Sequence, residues 1–297
     1  MIRGNTKNTF AIGAVSFVVM ATLSLSSCTE DEDSTVTGEE QNQPSATDFT
    51  DLLTNQVNEV IIPTMVTYQN KMTAFVSAVN GLAASIDAVN LTATRNAHKE
   101  AYLAYQAVAV HNYYATANTG LIDNTNLYPV DPAVLDDLIS NRSFNFGTTA
   151  QKRANGFPAI DYMLYHASDG VAYFNADGNR IDFLSALVTS MKSKSDDLVA
   201  QWSGNLITNF ISNGGTALGS SISVQLNGSL VYYEDHIREN KVGIPIGKLG
   251  PNDSPIPADA TKIESYHQSL SAGNEDFTLE LVKAAIEEME DFYLGES

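Results

Sequence analysis

The sequence predicts an all-α protein, built as two helical-bundle halves packed into one domain. From residue 48 onward, apolar residues recur at three- and four-residue steps, the spacing that puts them on one face of a helix. No run sustains the apolar–polar alternation of a strand between turn signals. Clusters of glycine, proline and asparagine separate the helical runs, and the boundary between the halves is expected at roughly 170–180.

Residues 1–27 are set apart from the fold. Arg3 and Lys7 precede an apolar run from Phe10 to Leu25, followed by Leu25-Ser26-Ser27-Cys28. That order is an export signal, and the run is short for a membrane span. Leu-Ser-Ser-Cys resembles the bacterial lipobox, which makes Cys28 the expected lipidated first residue of the mature chain. It is also the only cysteine, so no internal disulfide can form. Residues 28–47 are acidic and polar and read as a flexible tether. The acidic cluster after Cys28 resembles the surface-export signal of some bacterial lipoproteins and reads equally as a solvated linker.

The formal charge is −19, and removing Arg3 and Lys7 with the leader takes it to −21. Such a chain has no general basic patch for nucleic acid or anionic lipid, and it attracts cations.

Within 48–297, the first helix carries a stripe from Phe49 through Leu53, Val57, Ile61, Met65, Tyr68, Met72 and Phe75 to Val79. Asp48 or Thr47 is placed to cap it, and Pro63 predicts a kink or break. A second helix is expected over about 92–115, with His98, Ala101, Tyr102, Tyr105, Val108, Ala109 and Asn112 on one face. "TGLIDNTNLYPVDP" then breaks the pattern, and Pro132 opens a short helix to Ile139. Residues 141–152 read as a loop, and "GFPAIDYMLYH" starts another helix. "DGNR" at 177–180 reads as a turn before a helix carrying Leu184, Leu187, Val188, Met191, Leu198, Val199 and Trp202. After "SNGGT", the residues Leu218, Ile222, Leu226, Leu230, Tyr233 and Ile237 mark a helix to about Glu239. "KVGIPIGKLGPNDSPIP" is a loop too long to be a mere connector. Helices over 258–270 and 275–293 complete the chain.

No His-Glu-x-x-His, glycine-rich phosphate loop or Gly-x-Ser-x-Gly is present. The five histidines, at 98, 111, 166, 236 and 267, are scattered, which in a bundle does not exclude a shared site. In "GFPAIDYMLYH", Gly156 permits close approach and Pro158 suits a first helical turn. Asp161 sits where the helix dipole favours a carboxylate, with Tyr165 four residues on along the same face. His98 lies among Tyr102 and Tyr105. Glu234 and His236 point apart on a helix, whereas Glu234 and Arg238 form an i,i+4 pair.

"ANGFPAIDYMLYH", with "VIIPTMVTYQNKM" before it and "ENKVGIPIGKLG" after it, resembles the imelysin family, exported bacterial proteins also classed as M75 peptidases. The likeness runs from about residue 48 to the end. It implies a helical fold of two bundle-like halves with the site between them. Imelysins carry Gly-x-His-x-x-Glu, a proposed metal or catalytic signature, and a related iron-uptake branch carries His-x-x-Glu. Aligned on Gly156, Pro158 stands where the histidine belongs and Asp161 where the glutamate belongs. Proline cannot ligate a metal, so half of the motif is gone.

The reading that results is a lipid-anchored outer-membrane protein of the bacterial envelope, facing the periplasm or the surface. It is expected to be a non-catalytic binding or accessory component of iron or nutrient acquisition, working with an envelope uptake partner. The pocket residues are Gly156, Pro158, Asp161, Tyr165, His98, Lys241, Gly243, Pro245 and Gly247. No cofactor is assigned, with a divalent metal or iron as the candidate. The alternatives are an M75-type peptidase using Asp161 and His98, and a purely structural envelope protein.

Overall fold

Every regular element among the residues described by the computed structural model (48–114, 117, 119–146, 149–249 and 254–295) is helical. The leader, Cys28, the expected tether and Thr47 lie outside the described residues. Phe49, not Asp48, is the N-cap of the first helix, and no side chain caps it; Asp48 lies one residue before, its Oδ1 accepting from the Thr50 N–H at 2.9 Å and from the Thr50 hydroxyl at 2.6 Å. Helix α1 (Thr50–Asn55) runs into a π-helical segment (Gln56–Ile61) and then into α2 (Ile62–Ala84). The break expected at Pro63 is thus a widened turn just before it. In a straight α-helix the proline ring would meet the Glu59 carbonyl, and widening that turn relieves the clash. The predicted stripe from Leu53 to Val79 is buried.

Helix α3 (Ala88–Val110) begins earlier than predicted, because Asp87 caps it through the Asn90 N–H at 2.9 Å. It also ends earlier. His111 turns into the core, with Nε2 2.8 Å from Glu288 and Nδ1 3.0 Å from the Tyr113 hydroxyl. Asn112, read as part of the helical face, lies beyond the helix.

Next come α4 (Leu121–Thr125), α5 (Pro132–Ser140), a 3-10 turn (Thr149–Ala154), α6 (Gly156–Tyr165) and α7 (Gly170–Ala176). The "DGNR" turn is instead the start of α8 (Gly178–Gln201), capped by Asp177 through the Asn179 N–H at 2.9 Å. Helix α9 (Asn205–Ser212) was not predicted. Helix α10 (Ser221–Val231) continues into a second π-helical segment (Tyr232–Gly243). Of the helix expected over 258–270, only α11 (Tyr266–Ser269) forms. Asp259 instead accepts from the N–H and hydroxyl of Thr261, at 3.0 and 2.6 Å, a local arrangement that competes with helix. Helix α12 (Phe277–Leu294) closes the fold.

Helix α2 packs between α3 and α8, and α12 lies along α3. Phe75, Tyr102, Phe183, Leu187 and Phe277 are among the side chains that fill the space between them. Helix α10 departs from this pattern. Its predicted core stripe faces outward, with Leu226 44% and Leu230 58% exposed, while Ser221, Gln225 and Ser229 are buried. Hydrophobic periodicity shows that a helix is two-sided; it does not show which side finds a partner. Gly228 lies on the inward side, where a Cβ would stand 3.1 Å from Tyr113.

This orientation is testable by denaturant titration. Leu226→Asn or Leu230→Asn should shift stability by no more than about 0.5 kcal/mol, as surface changes do. Tyr232→Ala, next in the chain and buried, should cost about 3–5 kcal/mol, as for other large core side chains.

Candidate functional site

Helix α6 is placed by its first two residues. Gly156 has φ +75°, and a Cβ there would stand 2.1 Å from the Thr125 carbonyl oxygen, so only glycine lets the two backbones touch. Phe157 stacks on Tyr102 of α3, with ring centroids 4.4 Å apart and planes 6° apart. Asn155 caps the helix through the Gly156 N–H at 2.7 Å, and Pro158 sits in the first turn, where no N–H is needed.

Asp161 is thereby buried, 1% exposed. Both of its oxygens are engaged: Oδ2 accepts from the His267 N–H at 2.8 Å and Oδ1 from the Gln268 N–H at 2.9 Å. It joins α6 to the start of α11. Burial pushes its carboxyl up to about 7, against the downward pull of the two N–H donors.

His98 is enclosed by the rings of Phe75, Tyr102, Phe157 and Tyr165. Its Nε2 is 3.4 Å from the Phe157 carbonyl, while Nδ1 faces the Gln268 amide without closing a hydrogen bond. Burial lowers its pKa to about 4, so the ring is neutral. Gln268 stands near both His98 and Asp161, by that side-chain approach on one side and its backbone N–H on the other. Tyr165 lies under the Arg95 guanidinium at 4.8 Å.

Lys241 lines a cavity, but its charge is paired within the protein. It is buried and pairs with Glu264, itself 2% exposed. Burial lowers the lysine pKa, and the carboxylate counters this. The Glu264 Oε1 also accepts from Asn126 Nδ2 at 2.5 Å and Gln106 Nε2 at 3.3 Å, and Lys241 Nζ donates to Gln106 Oε1 at 2.8 Å. The Tyr102 hydroxyl donates to Asn126 Oδ1 at 2.6 Å and approaches the Glu264 carbonyl at 3.2 Å. Tyr102, Tyr105, Tyr128 and Tyr232 surround the group, and burial, reinforced by the Glu264 charge, holds their hydroxyls neutral.

Two cavities flank this network. The smaller, about 90 Å³, is lined by Tyr105, Tyr128, Tyr232, His236 and Lys241 among others. The π-helical register, with its i to i+5 hydrogen bonds, brings His236 and Lys241, five residues apart, to the same cavity. The larger, about 290 Å³, has walls of Pro129, Val130, Pro132, Pro158 and Ile263 and polar edges from Asp161, Glu264, Thr261, Tyr266 and His267. The second Glu264 oxygen, Oε2, is buried without a hydrogen-bond partner.

Of the predicted residues, Pro158 and Asp161 meet at the larger cavity, and Lys241 lines the smaller. Gly156 lies behind α6 against Thr125, and His98 stands in the core beside it. Gly243, Pro245 and Gly247 shape the turn that follows the π segment. A Cβ at Gly243 would meet Leu249 at 2.5 Å, and the Pro245 carbonyl accepts from the Asp259 N–H at 3.0 Å. Gly247 takes φ +72°. Glu264, Gln106, Asn126, Tyr128, Tyr232 and His236 were missed. Glu264 falls in a segment read as helix, and its partners lie far apart in sequence.

The donors here do not fit a catalytic metal. Each Asp161 oxygen already accepts a backbone N–H, His98 is walled in by rings, and no group of three His, Cys, Asp or Glu among the described residues is placed to hold an ion.

Against known proteins, the imelysin (peptidase M75) family profile matches residues 61–296. No curated protein matches in sequence. Among solved structures, a candidate iron-regulated protein A precursor from Parabacteroides distasonis aligns with TM-score 0.64 and 16% identity, over 86% of this chain and 76% of that one. An imelysin-like protein from Psychrobacter arcticum aligns with TM-score 0.57 and 14% identity, over 83% of each chain. At these identities the likeness is one of fold.

Two variants test the geometry. Asp161→Asn leaves one N–H without its acceptor and should cost about 1–3 kcal/mol. Because the folded-state pKa of Asp161 lies above the ordinary 3.8, its contribution to stability is full below about pH 4 and is lost as pH rises through about 7. Urea midpoints across that range should lose this slope in Asp161→Asn. Lys241→Met alone strands a buried carboxylate and should cost about 3–5 kcal/mol. Lys241→Met combined with Glu264→Gln should cost less than the two single changes together.

Proposed function

The chain belongs to the imelysin family, and from that premise we propose that it is a lipid-anchored envelope protein that binds a small ligand in the cavity beside Glu264. It serves iron or nutrient acquisition without cleaving peptides. One observation carries the binding reading: Glu264 lines a proline-walled cavity of about 290 Å³, and its buried Oε2 has no hydrogen-bond partner among the described residues. An unpaired carboxylate oxygen costs free energy until a donor reaches it, so the ligand class is a small molecule with an apolar body and an N–H, O–H or cationic group. The connection to iron comes from the name of the Parabacteroides neighbour, and the anchor from the Cys28 motif.

Pro158 in the motif position and the two N–H bonds held by Asp161 speak against hydrolysis. The rival peptidase reading draws on one feature, a carboxyl raised to about 7 at a cavity edge, the range that acid–base catalysis uses.

Native mass spectrometry of the chain purified from its own envelope, without a His-tag, tests the proposal. The expected result is an added small-molecule mass, absent in Thr261→Trp, which fills the cavity mouth from an exposed position. Peptide hydrolysis and stoichiometric metal, both lost in Asp161→Ala, would overturn it in favour of the peptidase.

A further inference from the structure

Residues 198–233 contain no Asp, Glu, Lys or Arg, the longest such run in a chain whose net charge is −19. The run includes α10, whose apolar side faces solvent. Leu218 is 96% exposed, Leu226 44%, Leu230 58%, Val231 56% and Tyr233 40%. Beneath it, Ser221, Gln225 and Ser229 are buried, so the exposed side belongs to a seated helix. Glu234, paired with Arg238, and Asp235 end the run.

The chain enters the described fold beside this face. The Phe49 N–H donates to the Gly214 carbonyl at 2.7 Å, four residues before Leu218. We propose that the outward side of α10, with Ile222, Leu226, Leu230 and Tyr233 at helical spacing, rests on the lipid surface to which Cys28 attaches. This inference relies on the lipid-anchor reading. Nineteen residues lie between Cys28 and Asp48, a reach of at most about 70 Å, so an anchored chain keeps the Gly214 end at high effective concentration near the bilayer. An acidic exterior is repelled by anionic headgroups, whereas a neutral leucine-rich face is not. Tyrosine at its margin suits the headgroup boundary, and such helices sit about 5–10 Å into it. An apolar patch of this kind calls for an occupant, and a second copy or a protein partner are the competitors that the experiment separates.

The lipidated full-length chain would carry Leu226→Cys, labelled with an environment-sensitive fluorophore. Lipidation of Cys28, the only native cysteine, leaves the introduced thiol unique. In vesicles of phosphatidylethanolamine and phosphatidylglycerol, its emission should shift to the blue. Shallow spin-labelled lipids should quench it severalfold more than the same label at Val89→Cys, a site 78% exposed. Adding Leu230→Asp should abolish both effects. A label that stays in water, or a blue shift that needs no lipid and grows with protein concentration, overturns the proposal. Mass spectrometry of Cys28 tests the anchor separately. Lipid quenching with an unmodified Cys28 keeps the face and removes the anchor, and a modified Cys28 without quenching removes the face.

Discussion

A lysine and a glutamate buried together must stay in contact, because either one alone would be an uncompensated charge in the core. Lys241 and Glu264 impose that condition on four separate stretches of chain. The lysine ends the second π-helical segment, and the glutamate sits in irregular backbone before α11. Gln106 comes from α3 and Asn126 from the turn after α4. Each contributes a hydrogen bond to the same carboxylate oxygen. Buried pairs of this kind are weak sources of stability, since desolvation offsets most of the attraction. What they supply here is position. The backbone around Glu264 has little regular structure to hold it, so side-chain bonds do so, together with the approach of the Tyr102 hydroxyl to the Glu264 carbonyl.

That anchor and Asp161 act on one short segment. Glu264 is held by Lys241, and three and four residues later the N–H groups of His267 and Gln268 are held by the Asp161 carboxylate. The segment is therefore fixed at two points and cannot collapse onto α6. The opposite wall, Pro129, Pro132 and Pro158, is equally stiff, since proline has little freedom to rearrange. A cavity between two such walls is formed before any ligand arrives, which lowers the ordering cost of binding. On the proposed reading, Asp161 builds the pocket more than it acts in it.

How much of this was legible follows from the range of each signal. The stripe of α2 and the Gly156–Pro158 helix start are local, written within a few residues, and they could be read directly. The placement of Asp161 at a cavity edge was within reach for the same reason. The Lys241–Glu264 network was not, because its members are separated by up to 158 positions and no spacing rule connects them. The π-helical segments were invisible too. They change the register from four to five without changing composition, and the alignment of His236 with Lys241 depends on that change. Asp259 and Thr261 show a third limit, where side-chain bonds within a few residues defeated a plausible helical pattern.

Helix α10 exposes the last gap between pattern and fold, and it bears on how the whole surface is organised. Periodicity assigns it an apolar side, and burial of that side is the usual outcome. Here the side carrying Ser221, Gln225, Gly228 and Ser229 packs inward, with Gly228 against Tyr113, and the leucines face out. Turning Leu226 and Leu230 outward loses the stabilisation that their burial would bring. If the face is covered as proposed, that loss is offset, and the absence of charge along the same stretch removes the electrostatic obstacle to covering it. In a chain this acidic, the uncharged run and the outward leucines of α10 fall together, close in the chain to where Phe49 joins the Gly214 carbonyl.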